Sequence, residues 1–282
     1  MKINCIKRLC PICGSSNFRK EISSKIKAEN SDFTTLQKTW NGFFKEKIIF
    51  TYVRCANCKT LYCPEFFNNN QLSMLYSQMP ANMDEVPLAA LKKTQRGYFD
   101  FLKKNSSLSG NFLEVGPDIG LFTENCIKSA NYKKYWLFEP NISVKKDLER
   151  VVKNKEFSIV HEMFDFKCIP ENSIDTAVFI HVMDHLIDPL IYLKSLESKL
   201  KKGSKLLIVT HDEKSILRKI FKLKWPAFCL QHPQLYNMET TKNLLDECNF
   251  RIISQNKTKN YFKISFLLKH FLWAIGVKIN RV

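Results

Sequence analysis

Apolar positions along the chain fall into segments of different rhythm. Lys47-Ile-Ile-Phe-Thr-Tyr-Val-Arg54 and Thr60-Leu-Tyr62 are β-prone runs on either side of a tight turn, which predicts a small ribbon of strands. From Asn111 an apolar strand enters a glycine turn, and Leu121 to Ala130 then reads as a helix. Tyr135-Trp-Leu-Phe-Glu139 and Ser173-Ile-Asp-Thr-Ala-Val-Phe-Ile180 read as further strands, and Lys205-Leu-Leu-Ile-Val-Thr210 reads as a buried parallel one. Between the last two, Asp188 is placed to cap a helix and Pro189 suits its first position. Leu190, Leu193, Leu196 and Leu200 make one apolar stripe that stops before Gly203. Strands alternating with helices predict an α/β core that begins near Phe112.

Composition narrows the class. With 282 residues, 45% of them apolar and 25% charged, the chain resembles soluble globular proteins, so neither disorder nor a membrane protein is indicated. Met1 to Cys10 sets Lys2, Lys7 and Arg8 around a very short apolar stretch with no signal-peptide core, and a cytoplasmic protein is expected. The net charge of +17 invites a nucleic-acid or anionic-membrane partner. Lysine far outnumbers arginine, however, and the arginine clusters interleaved with aromatics of a dedicated nucleic-acid binder are missing. A nucleic-acid partner is therefore not expected, whereas a phosphate-bearing substrate fits.

Of the ten cysteines, four form two knuckles, Cys10-Pro-Ile-Cys13-Gly14 and Cys55-Ala-Asn-Cys58-Lys59. Two such pairs can present four thiolates tetrahedrally, so Cys10, Cys13, Cys55 and Cys58 are expected to hold one structural Zn2+ in a zinc ribbon. Zinc would stabilise a module too small to do so through its own core. The gap between the knuckles requires an inserted hairpin or helix around Phe33 to Phe44. Cys5 and Cys63 are spare thiols without an assigned role, and buried or redox-active thiols are the alternative for the paired four.

Asn111-Phe-Leu-Glu-Val-Gly-Pro-Asp-Ile-Gly120 is the place for a nucleotide cofactor, and Glu139 follows the turn by about 20 residues, where a carboxylate can accept from ribose hydroxyls. From about Leu88 to Ile253 the chain resembles the class I S-adenosylmethionine-dependent methyltransferases. The first motif of that family corresponds to Glu114-x-Gly116-x-Asp118-x-Gly120, with Asp118 where glycine is usual. Aspartate tolerates a left-handed backbone, and with only eight glycines in the chain, Asn131 and Asn249 are expected to make the same exchange at helix ends.

The resemblance implies a Rossmann-like fold: a mostly parallel twisted sheet with helices on both faces, plus the small N-terminal zinc ribbon. It implies S-adenosyl-L-methionine as cofactor, with Glu114, Gly116, Pro117, Asp118, Gly120, Glu139 and His181 around it. It further implies that Met163, Phe164 and Asp165 flank the adenine. The resulting division is 1–66 for the zinc-ribbon-like module, 67–108 for a helical linker or lid over the cofactor site, 109–260 for the core and 261–282 for an amphipathic tail.

His181-Val-Met-Asp-His185-Leu, Asp-Pro, the leucine helix, Lys-Lys-Gly and the following strand closely resemble a methyltransferase subfamily acting on small molecules. An inverted zinc-peptidase reading of the two histidines is rejected, because the segment is a strand-to-helix turn with no evident third ligand. His185, Asp184 and His181 are the candidates for a catalytic base, with His211 next and the His232 to Tyr236 stretch as a substrate wall. A structural role competes for each histidine.

A zinc module ahead of this core resembles enzymes that methylate sugars in bacterial surface-polysaccharide pathways. The expected acceptor is thus an anionic small molecule, a nucleotide sugar or lipid-diphosphate sugar, with peripheral association at the inner membrane face. Alternatives are a quinone precursor, an RNA docked by the zinc module, or a non-catalytic zinc-dependent assembly factor. Ser215 to Trp225 is expected to be a helix with one greasy and one cationic face carrying Arg218, Lys219, Lys222 and Lys224. Tyr261 to Val277 is expected to be a second amphipathic segment too short and too charged to span a membrane.

Overall fold

The computed structural model describes residues 3–40, 47–77, 86–161 and 165–274. In chain order the N-terminal part contains β1 (Ile6–Lys7), β2 (Phe18–Ile22), β3 (Ile26–Lys27), α1 (Phe33–Thr39), β4 (Ile48–Ile49), β5 (Tyr52–Cys55), β6 (Leu61–Tyr62) and β7 (Glu65–Phe66). Helix α1 occupies the first part of the insertion expected around Phe33 to Phe44, of which 41–44 lie outside the described residues, and the side chain of Asp32 caps it by accepting from the Thr35 amide. Helices α2 (Asn69–Ser77) and α3 (Leu88–Asn105) follow.

The core then runs β8 (Ser109–Val115), α4 (Leu121–Ser129), β9 (Asn131–Phe138), α5 (Lys145–Val152), β10 (Glu156–Val160), β11 (Ile174–Ile180), α6 (Pro189–Glu197) and β12 (Leu200–Val209). Its five strands pair in the order β10-β9-β8-β11-β12, and every pairing is parallel. This is the Rossmann-like arrangement, in which each strand is followed by a segment that crosses back over a face of the sheet. The chain ends with α7 (Ile216–Phe221), β13 (Gln234–Leu235), α8 (Met238–Asp246) and α9 (Ile264–Ala274). Among the described residues no helix is long and apolar enough to cross a membrane.

Strand β13 leaves the core to complete the N-terminal module. The order β13-β6-β5-β2 forms one four-stranded sheet, with Gln234 opposite Tyr62 and Leu235 opposite Leu61. Burial is equally shared: Cys10, Ile12, Val53, Cys55 and Tyr62 pack in the same apolar cluster as Val115, Phe138, Met183 and Tyr236. So small a module gains stability from a core that it does not own.

Several local expectations differ from what forms. Leu200 opens β12 rather than closing the leucine helix, and β12 is an edge strand, partly exposed over much of its length. Asp188 occupies the cap position of α6 without a side-chain cap bond. Asn249 is left-handed with φ +60, as a glycine substitute must be, but Asn131 begins β9 in extended conformation. The Ser215 to Trp225 segment is helical only to Phe221. Lys222 then turns left-handed (φ +48) and a single 3₁₀ turn covers Lys222–Lys224.

Candidate functional site

The glycine turn after β8 is built as the sequence anticipates. Gly116, Asp118 and Gly120 all take positive φ, at +67, +52 and +78. A Cβ at Gly116 would lie 2.8 Å from a methyl group of Val182, so the turn is pressed against the segment that follows β11 and only glycine fits there. Pro117 is buried, and its carbonyl accepts from Gly120 N–H. Gly120 is the residue from which α4 starts.

Glu139 lies just past β9, with its carboxylate aimed at this turn. One oxygen accepts from the Asp118 amide and the other from the Asn141 amide, each at 2.9 Å. A carboxylate has roughly four acceptor sites, so each oxygen retains capacity for a ligand hydroxyl. Burial raises the Glu139 carboxyl to about 7 against the lowering effect of the two amides. A cradle with no room for a Cβ and a buried carboxylate with free lone pairs together fit the ribose end of S-adenosylmethionine.

Glu114, grouped by sequence with the cofactor residues, is buried beneath the turn. It accepts a hydrogen bond from Thr123 in the first turn of α4, and desolvation raises its carboxyl to about 8, which keeps it protonated at neutral pH. Asp165 is half-exposed, accepting from the Lys167 amide and pairing with the Lys167 ammonium at 2.9 Å. Met163 and Phe164 lie outside the described residues.

The segments after β11 and β12 and before β13 bring four histidines together. His181 follows β11 with φ +53, and His185 ends the 3₁₀ turn Met183–His185. His211 comes two residues after β12, and His232 two residues before β13. Their rings succeed one another in space: His181 to His211 at 4.7 Å, His211 to His232 at 5.0 Å, and His232 to His185 at 4.6 Å between centroids. The carboxyl ends of parallel strands are where ligands bind in this architecture, and both β11 and β12 deliver histidine there.

Asp184 is fully buried at the centre of the group. Burial alone would raise its carboxyl, but the bond and charge of His211, with help from His232 and Thr210, hold it below the usual carboxylate range. It accepts from the Thr210 hydroxyl, from the His211 amide at 3.2 Å and from His211 Nδ1 at 2.7 Å. Because an ionised carboxylate can only accept, the His211 proton sits on Nδ1 and Nε2 is left as the basic nitrogen.

The other histidines are engaged differently. His185 Nδ1 lies 2.7 Å from the Tyr76 hydroxyl, and burial holds this ring well below its ordinary pKa. His181 is pushed down to about 3 by burial and by His211, and its Nδ1 is buried without a hydrogen-bond partner. His232 bonds through Nδ1 to the Ala227 carbonyl at 2.7 Å. Of the three residues placed first by sequence, His181 packs its ring against His211 and Asp184 hydrogen-bonds to it. That pairing could not be read from spacing, because the two lie 27 positions apart with helix α6 and strand β12 between them.

The four knuckle cysteines converge as a separate group. Cys10 Sγ lies 3.3 Å from Cys58 Sγ and Cys13 Sγ 3.5 Å from Cys55 Sγ, and all four sulfurs are within 4.8 Å of one another. A tetrahedron with zinc–sulfur bonds of about 2.3 Å has sulfur–sulfur edges of roughly 3.8 Å. The donor set and its spacing therefore fit a tetrahedral metal. Cys63 is buried nearby in a different contact, with its sulfur 4.0 Å from the His232 carbonyl.

Comparison with known proteins agrees with this architecture. The profile of one family, described as a methyltransferase domain, matches residues 90–255. No curated protein sequence matches the chain. Among solved structures, a SAM-dependent methyltransferase from Leishmania major has a TM-score of 0.50 at 15% identity, covering 66% of this chain and 74% of that one. A chain from the complex between the Haloferax volcanii Trm112 methyltransferase activator and a methyltransferase has a TM-score of 0.50 at 11% identity, covering 65% and 82%. At such identities the structures speak for the fold alone. The family match spans more than half of the 282 residues, on the glycine turn and the histidine-bearing strands alike. The chain belongs to the methyltransferase domain family and is an S-adenosylmethionine-dependent methyltransferase of the class I fold.

Proposed function

We propose that this methyltransferase alkylates a hydroxyl of a small anionic acceptor, a nucleotide sugar or lipid-diphosphate sugar, with His211 as the general base. The observation that carries this reading is the buried Asp184 carboxylate fixing His211 in the Nδ1–H tautomer at the carboxyl ends of the paired strands β11 and β12. When bound, S-adenosylmethionine supplies an electrophilic methyl carbon on a sulfonium. Gly116 and Asp118 would hold it through backbone, and Glu139 would accept from its ribose hydroxyls. Pro117 and Gly120 shape the same turn.

His211 Nε2 would take the proton of the acceptor hydroxyl, and the resulting imidazolium would be stabilised by the Asp184 carboxylate. Asp184 is a positioning residue in this scheme, since it acts through His211. His181 and His185 are half-buried and neutral, and line the space around the pair. An alcohol is a weak nucleophile at neutral pH, so a dedicated base is of most use for an acceptor of this type.

The anionic end of the acceptor is drawn by the exposed Lys219 and Lys222 and by Lys224, all close after β12. The neighbouring Ile216, Leu217 and Ile220 are 70%, 56% and 60% exposed, which suits contact with the membrane that holds a lipid-linked sugar. The four cysteines hold one structural zinc ion. The deciding experiment is methyl transfer from labelled cofactor to a panel of nucleotide sugars, lipid-diphosphate sugars, quinone precursors and RNA, with wild type and His211→Ala side by side. Labelled sugar product from wild type alone is expected. Exclusive labelling of quinone precursor or RNA refutes the acceptor, and an active His211→Ala refutes the base.

A further inference from the structure

The N-terminal module grips both segments that bring His211 and Asp184 together. On the Asp184 side, Arg8 lies two residues before the first knuckle and sends its guanidinium into the core. Its Nη2 donates to the Ile187 carbonyl at 2.5 Å and to Gln234 Oε1 at 2.8 Å, while Nη1 donates to the carbonyls of Cys63 and Pro233 at 3.2 and 3.1 Å. Gln234 passes the restraint on. Its Nε2 donates to the carbonyls of Met183 at 3.1 Å and Leu186 at 2.6 Å, which bracket the turn carrying Asp184 and His185. Gln234 itself is fixed by its strand, which pairs with β6 of the module.

On the His211 side the grip is ionic. Arg54, adjacent to Cys55, makes bonds of 2.7 and 2.6 Å to Glu21 within the module and of 2.8 and 3.1 Å to Glu213, two residues beyond His211. Glu213 is completely buried and also receives Arg218 at 3.0 Å and Asn237 Nδ2 at 2.6 Å. Fork-to-fork pairing of this kind fixes orientation as well as distance. Both arginines sit within two residues of a knuckle cysteine, so whatever fixes the knuckles fixes their register.

We infer that the cysteine module is the positioning element of the His211–Asp184 pair, acting through Arg8 and Gln234 on the turn that carries Asp184 and through Arg54 on the segment that carries His211. The consequence for catalysis rests on His211 being the base; the consequence for geometry does not. A desolvated guanidinium whose four hydrogen bonds all end on neutral oxygens, with Asp188 acting on it through charge alone, is poorly explained as a stabilising ion pair, because the desolvation is not offset by a bonded carboxylate. Its bonds instead tie three chain segments to one planar group.

The test uses the full-length protein and reads the His211 side chain directly, through the nitrogen-15 and proton resonances of its Nδ1–H. Arg8→Met and Gln234→Ala are each expected to shift or abolish the resonance. They should lower kcat by about a hundredfold, the effect of roughly 1 Å of misplacement, with S-adenosylmethionine affinity changed less than about twofold. Arg8→Lys keeps the charge but not the fork and is expected to leave the resonance perturbed. Removing metal with a chelator should disturb the same resonance before the core melts.

If Arg8→Met fails to fold, Gln234→Ala carries the test, since it leaves Arg8 its three carbonyl partners. A folded Gln234→Ala with an unaltered His211 resonance and unaltered kcat overturns the inference. A perturbed resonance in a protein whose His211→Ala variant is fully active supports the positioning and defeats only the assignment of the base.

Discussion

His211 Nδ1 donates to Asp184 Oδ2 across 2.7 Å, and the carboxylate that it meets has no exposed surface. Replacing His211 by alanine is expected to lower kcat by about 10²- to 10⁴-fold, the usual contribution of a general base. Asp184→Asn should act in the same direction, because a side-chain amide presents a donor as well as an acceptor and releases the tautomer. Neither change should alter S-adenosylmethionine affinity. Calorimetry beside steady-state kinetics separates the two quantities, and an active His211→Ala enzyme removes the base from the scheme.

Cofactor affinity should depend on pH through Glu139. Its carboxyl is raised to about 7 by burial, and hydroxyl donors favour the ionised form. Binding should therefore be tightest above pH 7 and weaken by about tenfold for each unit below it. Glu139→Gln should bind weakly and without this dependence. Isothermal titration of S-adenosylmethionine across pH 5.5 to 8.5, a range chosen to extend about 1.5 units to either side of that value, provides the check. A flat profile in wild type shows that Glu139 does not titrate in the site.

Much of the fold and part of the site are legible in the sequence, for identifiable reasons. Repeating apolar rhythm marks β8, α4, β9, β11 and α6, because burial on a sheet face or helix stripe imposes a period. Asp118 is recognisable as a glycine substitute since few other side chains tolerate φ near +52. Pairings between distant segments leave no such period. Asp184 and His211 meet only because β11 and β12 lie parallel and adjacent, and Gln234–Leu235 is too short a strand to announce that it completes the cysteine module. The break of α7 at Lys222 is likewise invisible, because lysine carries no preference for left-handed backbone.

Glu114 should make the protein less stable as pH rises. Its folded value of about 8 exceeds the ordinary 4.5, so between these limits the native state holds a proton that the unfolded chain has lost. Stability from this group is full below about pH 4.5 and lost as pH climbs toward 8, with a slope of up to about 1.4 kcal/mol per unit. Glu114→Gln preserves an acceptor for Thr123 and should flatten that part of the profile. Urea unfolding at pH 5, 6.5 and 8 tests it, and an identical slope in both proteins rejects a buried protonated Glu114.

Purified protein should contain about one equivalent of zinc, held by Cys10, Cys13, Cys55 and Cys58. Cys55→Ser is expected to lose the metal and lower the melting temperature, because the module shares an apolar cluster with the parallel sheet. Cys63→Ser should retain it, since its sulfur contacts the His232 carbonyl instead. Metal analysis together with calorimetric melting decides. A metal-free preparation of undiminished stability excludes the zinc assignment.

The last prediction concerns the purpose of the positive charge. Exposed Ile216, Leu217 and Ile220 stand beside Lys219 and Lys222, and Ile264, Leu267, Leu268 and Phe271 of α9 are also at least half exposed. Apolar side chains this open to water gain from entering the headgroup region of a bilayer, and each lysine near an anionic surface adds about 1 kcal/mol at low screening. Wild type should bind vesicles rich in anionic lipid and lose that binding as salt is raised. Changing Lys219, Lys222 and Lys224 to glutamate should abolish vesicle binding and raise KM for an anionic acceptor by about tenfold or more, while S-adenosylmethionine affinity stays nearly constant. Changing Ile216, Leu217 and Ile220 to serine should weaken binding to vesicles but leave KM for a soluble nucleotide sugar intact. That contrast separates lipid contact from recognition of a diphosphate. If all these variants behave as wild type toward both, the lysines are a solvated surface and the acceptor is held elsewhere.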